Sequence, residues 1–127
     1  MSTAIRIVVG ATVVEASLND SATAREVAAS LPITSTVSTW GEEIYFPIPV
    51  TAEAAPDARE DVTVGEIGYW PAGKAFCVFF GRTPASTTDA PRAASPVNPI
   101  GRATGDPASL SALSAVRDGD TVTIQAA

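Results

Sequence analysis

A closed antiparallel β-barrel of about eight strands with two short helices is the fold class that the sequence predicts. Three observations carry it. Short segments of alternating apolar and polar residues recur along the whole chain, most of them bounded by glycine- or proline-bearing turns. Only two stretches have helical periodicity, and both are short. No strand is regularly followed by a helix, which argues for a sheet closing on itself and against a doubly wound α/β fold. The 127 residues make one domain, 1–127, with room for one core.

The elements follow in order. Ala4 to Val9 alternates, with Ile5, Ile7 and Val9 on one face and Arg6 on the other. Gly10-Ala11 turns the chain, and Thr12 to Leu18 returns with Val14, Ala16 and Leu18 inward. Asn19-Asp20-Ser21 opens a helix, which Asp20, Ser21 or a Thr23/Glu26 capping box would start. Ala24, Val27, Ala28 and Leu31 form its apolar stripe, and Pro32 ends it. Thr34 to Trp40 is β-branched and strand-like, and Gly41-Glu42 turns it. Glu43 to Val50 follows, with Ile44, Phe46, Ile48 and Val50 on one face and Glu43 and Tyr45 on the other. Pro47 and Pro49 cannot donate to a ladder, so this strand frays there. Glu53 to Asp61 has the composition of an acidic surface loop.

Gly65 to Gly81 concentrates the aromatics and holds Cys77, the single cysteine. It predicts two strands about a Pro71-Ala72-Gly73-Lys74 turn. Phe76, Val78 and Phe80 share one face, and Ala75, Cys77 and Phe79 the other. Both faces are apolar, so the second strand should be buried on both sides, by the barrel interior and by a helix or partner. Cys77 is expected to be a small buried hydrophobe. Arg82 to Pro99 holds four prolines and is expected to be a long loop, either a lid or mobile. Pro99 to Ala103 fits a short strand. Asp106-Pro107 starts a second short helix ending near Val116, and Thr121 to Ala126 is the last strand.

Composition excludes several functions. The net charge is −6 and the basic residues are scattered singly, which disfavours nucleic acid. No apolar run approaches a membrane span. The run from Ile7 to Val14 breaks at Glu15 without a preceding basic cluster, so it does not read as a leader, and a cytoplasmic protein is expected. There is no histidine, which removes Ser-His-Asp, Cys-His and imidazole general-base schemes. Gly68 to Ala75 nearly spells a phosphate-binding loop, but Ala75 lacks the hydroxyl for Mg²⁺ and a strand follows rather than a helix. No cofactor and no metal site are expected.

Four ordered motifs carry a family resemblance: Trp40-Gly41-Glu42-Glu43-Ile44-Tyr45-Phe46, Gly65-Glu66-Ile67-Gly68-Tyr69-Trp70-Pro71-Ala72-Gly73, Phe79-Phe80-Gly81-Arg82-Thr83-Pro84, and Ser95-Pro96-Val97-Asn98-Pro99-Ile100-Gly101. With them the chain resembles a family of small prokaryotic proteins with a cyclophilin-like barrel, over nearly its whole length. The resemblance implies an eight-stranded barrel with helices at its ends. Cyclophilins proper are peptidyl-prolyl isomerases, with an Arg, a Gln, aromatic walls and a customary His. That signature is not matched here, so the isomerase reading is an analogy of fold.

The candidate site lies at the barrel rim. Trp40, Tyr45, Phe80, Arg82, Thr83 and Asn98 are the candidate ligand-binding residues, since loops leaving a rigid barrel are where sites are built. Glu42, Glu43 and Tyr45 are the candidate catalytic residues, because a carboxyl beside an aromatic can have a raised pKa. The first function expected is binding of a peptide segment or small organic ligand. The alternatives are a metal-independent small-molecule isomerase or cyclase, a peptidyl-prolyl isomerase, and a subunit that homodimerises through an exposed apolar face of a central strand. The expected partner is a small molecule or peptide, with neither nucleic acid nor membrane, and the chain acts as a monomer or homodimer.

Overall fold

Apolar residues at every second position put one face of each strand into a common interior, and the sheet curls to bury it. The computed structural model describes residues 2–127. Its strands are β1 (Thr3–Val9), β2 (Thr12–Leu18), β3 (Ile33–Thr36), β4 (Ser38–Thr39), β5 (Glu43–Pro47), β6 (Arg59–Asp61), β7 (Glu66–Trp70), β8 (Ala75–Phe79), β9 (Arg92–Ala103) and β10 (Thr121–Ala126). Two short helices accompany them, α1 (Ala22–Ala29) and α2 (Pro107–Ser111), the latter continuing into a 3₁₀ turn at Ala112–Ala115.

Every described strand pair is antiparallel. The hydrogen-bonded order is β3-β10-β1-β2-β9-β7-β8-β5-β4, with β6 paired to β9 off this path. The predicted mainly-β, antiparallel class with two short helices is therefore found. Closure takes a different form from the expected ring, since no ladder joins β3 to β4. Those two path ends are consecutive in the chain, and Val37 alone separates them. The backbone of Val37 bonds Asp120 and Gly119 instead, at 2.9 Å each. The expected closure is thus corrected: the sheet stays open between β3 and β4, which are joined only through the chain at Val37, and its wall is barrel-like rather than a closed ring.

The interior is filled by alternate residues of the strands. Ile5, Ile7, Val14, Leu18, Ile44, Phe46, Ile67, Phe76, Val78 and Ile124 are all essentially inaccessible. Phe46 and Phe76 stack across β5 and β8 with ring centroids 5.2 Å apart. Residues 7–14, the apolar run near the chain start, are the core-facing β1–β2 hairpin. Helix α1 is capped by Ser21, whose side chain accepts from Ala24 N–H, and it buries Ala24 and Val27 in the same core. Leu113, after α2, is buried there too. No described helix is long and apolar enough to cross a membrane.

Two expectations are corrected. The 82–99 segment is not one long loop, because β9 begins at Arg92 and runs twelve residues. It tolerates Pro96 and Pro99 because it changes partners: Asn98 to Arg102 pair with β7 across an irregularity, while Arg92 and Val97 pair with β6. Within 53–61, expected to be a loop throughout, Arg59–Asp61 is strand β6.

This correction creates a second layer. The first half of β9, with β6, folds over the outer face of β7 and β8. Ala75, Cys77 and Phe79 from β8 pack there with Val62, Ala93 and Val97, in a cluster separate from the barrel core. Gly68 permits the approach, since a Cβ at that position would lie 2.7 Å from Val97 Cγ2. The outer cover of β8 is therefore supplied by this chain's own β6–β9 layer rather than by a helix.

Candidate functional site

Residues on the outer faces of β5, β7 and β8 point away from the barrel core, and the second layer covers them incompletely. The space left is a pocket of about 180 Å³, lined by Trp40, Glu43, Tyr45, Trp70, Cys77, Ala93, Ala94 and Val97. Strand alternation explains the set. Glu43 and Tyr45 are two apart on β5, Cys77 is the direct partner of Tyr45 on β8, and Trp70 ends β7 on the same side.

The aromatic walls are held in place. Trp70 and Tyr45 meet edge to face, with centroids 6.1 Å apart and planes at 85°. The Trp70 indole N–H donates to Ser95 Oγ on β9. Its ring lies directly on Gly73, where an added Cβ would come within 2.5 Å of Cε3. Any side chain at 73 would displace the indole. Trp40, half-buried, also lines the pocket.

Glu43 supplies the one formal charge in the lining. Its side chain is buried, at 6% exposure. Burial raises its pKa from the ordinary 4.5 to about 7, and the neighbouring Cys77 thiol offsets part of that rise. The Cys77 thiol is pushed well above its usual value, by burial first and then by the Glu43 charge. A protonated carboxyl and a neutral thiol therefore share the pocket floor below neutral pH. Among the described residues, no three His, Cys, Asp or Glu side chains gather as a metal site would need.

The candidates named from sequence divide by location. Trp40, Tyr45 and Glu43 come together in this pocket. Glu42 and Phe80 lie elsewhere, lining a separate hollow with Thr39, Gly41 and Leu113. They separate because β5 begins at Glu43, so Glu42 sits in the preceding turn. Arg82 is exposed and paired with Asp89 at 3.5 Å. Thr83 is a turn residue: its hydroxyl donates to the Arg92 carbonyl and accepts from Ala85 N–H. Asn98 is 1% exposed and fully engaged. It donates to Thr23 Oγ1 and to the Glu53 carbonyl, and accepts from Ala55 N–H at 2.7 Å. It ties α1 and the 53–55 segment to β9 and has no donor left for a ligand.

Trp70, Cys77, Ala93, Ala94 and Val97 are lining residues outside the candidate set. Trp70 and Cys77 read as structural because they sit in the best-buried stretch. The β9 residues fall in the proline-bearing 82–99 stretch, and their small side chains carry no local signal for a strand.

A family model described as cyclophilin-like matches residues 3–125. The solution structure of a hypothetical protein from Archaeoglobus fulgidus is similar at 36% identity and a TM-score of 0.80, over 99% of this chain and 95% of that one. No curated protein matches the chain.

Proposed function

The chain belongs to the cyclophilin-like family, and from that premise we propose that its working site is the pocket on the outer face of β5, β7 and β8. It binds one ring-sized apolar group of a small organic ligand or of a peptide segment. One observation carries this reading: a concave apolar space in which Trp40, Tyr45 and Trp70 converge on a single buried carboxyl. Size supports a ring-sized occupant. A cavity of roughly 150 Å³ holds a benzene-sized molecule, and drug-sized ligands take roughly 300–1,000 Å³. At about 180 Å³ the pocket suits a group rather than a whole large ligand.

The test is an amide and indole chemical-shift titration with ring-sized fragments. The expected shifts are at the indole N–H groups of Trp40 and Trp70 and at the amides of Ala93, Ala94 and Val97. Saturable binding that left all five unmoved would reject the site.

A second reading is favoured by the Glu43 carboxyl near neutral pKa, which suits a general acid or base in a metal-independent isomerase or cyclase. Turnover of any substrate found for the pocket should then fall sharply in Glu43→Gln. Undiminished turnover would leave binding alone.

A further inference from the structure

Two buried carboxylates face the outer side of the sheet, and they are treated differently. Glu66 on β7 is 4% exposed and has its partners within the chain. It pairs with Arg59 and accepts from the Thr63 backbone N–H at 3.1 Å and from the Thr63 hydroxyl. Glu43 on β5 is as deeply buried but joins none of the described ion pairs. Its polar neighbour is the Cys77 thiol. An unpaired carboxylate held away from water is costly, and a cation beside it removes that cost.

The surroundings of Glu43 suit a cation of a particular kind. Trp40, Tyr45 and Trp70 offer aromatic surface, and Ala93, Ala94 and Val97 close the pocket with small apolar groups. Aromatic faces attract ammonium groups, most strongly where water is excluded. Among the described residues, no Lys or Arg lines the pocket to compete. The whole chain carries −6, which favours the approach of cations over anions.

We propose that this pocket selects an organic cation, a compact amine or quaternary ammonium group, with the Glu43 carboxylate as its counter-ion and Trp40, Tyr45 and Trp70 as its walls. The inference rests on the reading that the pocket is the binding site. It makes binding depend on pH. The titratable groups facing Glu43 are Tyr45 from its own strand and Cys77 from β8; the β9 residues and both tryptophans bring none. Below neutral pH the carboxyl carries a proton that the cation must displace. Affinity therefore rises with pH up to about 7 and then levels.

Both tryptophans of the chain line the pocket, so intrinsic fluorescence reports its occupancy directly. The probes are choline and its neutral isostere 3,3-dimethylbutan-1-ol, titrated at pH 8 and pH 5.5. Choline should bind at least tenfold tighter than the alcohol at pH 8 and lose roughly tenfold or more at pH 5.5, the alcohol staying constant. Glu43→Gln should weaken choline binding at pH 8 roughly tenfold and abolish its dependence on pH. The wild-type pH series gives the same contrast without a variant. Equal binding of the two probes would overturn the cation and keep an apolar pocket. Saturation by neither would overturn the cation too, and the fragment titration then judges the pocket separately.

Discussion

Strand β8 has two faces, and they have been put to different uses. On the inner face Phe76 and Val78 are sealed in the barrel core, with Phe76 stacked on Phe46. On the outer face Ala75, Cys77 and Phe79 lie under a thin cover of β6 and the first half of β9. The inner face is built from large side chains of many strands and is close-packed. The outer face is covered by small residues, Ala93 and Ala94 among them, and it keeps a pocket with a carboxyl in it. On the proposed reading the site lies where the second layer is too thin to fill the space, and the barrel core holds that surface in place.

The contrast can be tested by substitution, and the largest effect belongs to the inner face. Phe76→Ala should destabilise the protein by about 3–5 kcal/mol, measured by denaturant unfolding, because the closed core cannot collapse around the loss. A cost under about 1 kcal/mol would mean that the two faces are alike.

Glu43→Gln should act in the opposite direction. A carboxyl whose folded pKa is raised from 4.5 to about 7 binds more protons folded than unfolded across that window. Its contribution is fully favourable below pH 4.5 and is lost as pH rises to about 7. The variant should therefore match the wild type at pH 4 and exceed it at pH 8 by about 3 kcal/mol. Equal stability at both pH values would show that water reaches the carboxyl.

Cys77→Ala is smaller still. The thiol fills a corner beside a space that already exists, so the expected cost is about 1 kcal/mol. A cost as large as that of Phe76→Ala would show the outer cluster to be a true second core. The smallest expected effect is none: a protease-coupled assay on an Ala-Pro-Phe peptide should show only the uncatalysed rate of prolyl isomerisation. Acceleration that Glu43→Gln or Trp70→Phe abolished would give the pocket that activity.

Much of this arrangement is legible in the residues. Alternation alone assigns Ile5, Ile7 and Val14 to the core, places Glu43 and Tyr45 on one face, and marks β8 as covered on both sides. What covers β8 is not legible. Pro96 and Pro99 argue against a strand, and only the change of partners from β6 to β7 makes room for them. With β9 read as a loop, Ser95, which holds the Trp70 indole, and Val97, which seats on Gly68, had no place in a site. For the same reason the sequence presents Arg82, Thr83 and Asn98 as loop residues. The structure uses them for a surface pair, a turn and a clamp between α1 and β9.

The homodimer reading called for an exposed apolar face of a central strand, and the outer face of β8 is one such candidate. The chain covers that face itself, so the expected apolar surface is not presented there.

The most direct test is a carbon-13 titration of the Glu43 side-chain carboxyl in the folded protein. A midpoint near pH 7 would establish a desolvated carboxyl at the pocket floor, as its burial and the absence of a cationic partner among the described residues predict. A midpoint near 4.5 would contradict the account, because it would mean the pocket is open to water and no more than a crease in the surface.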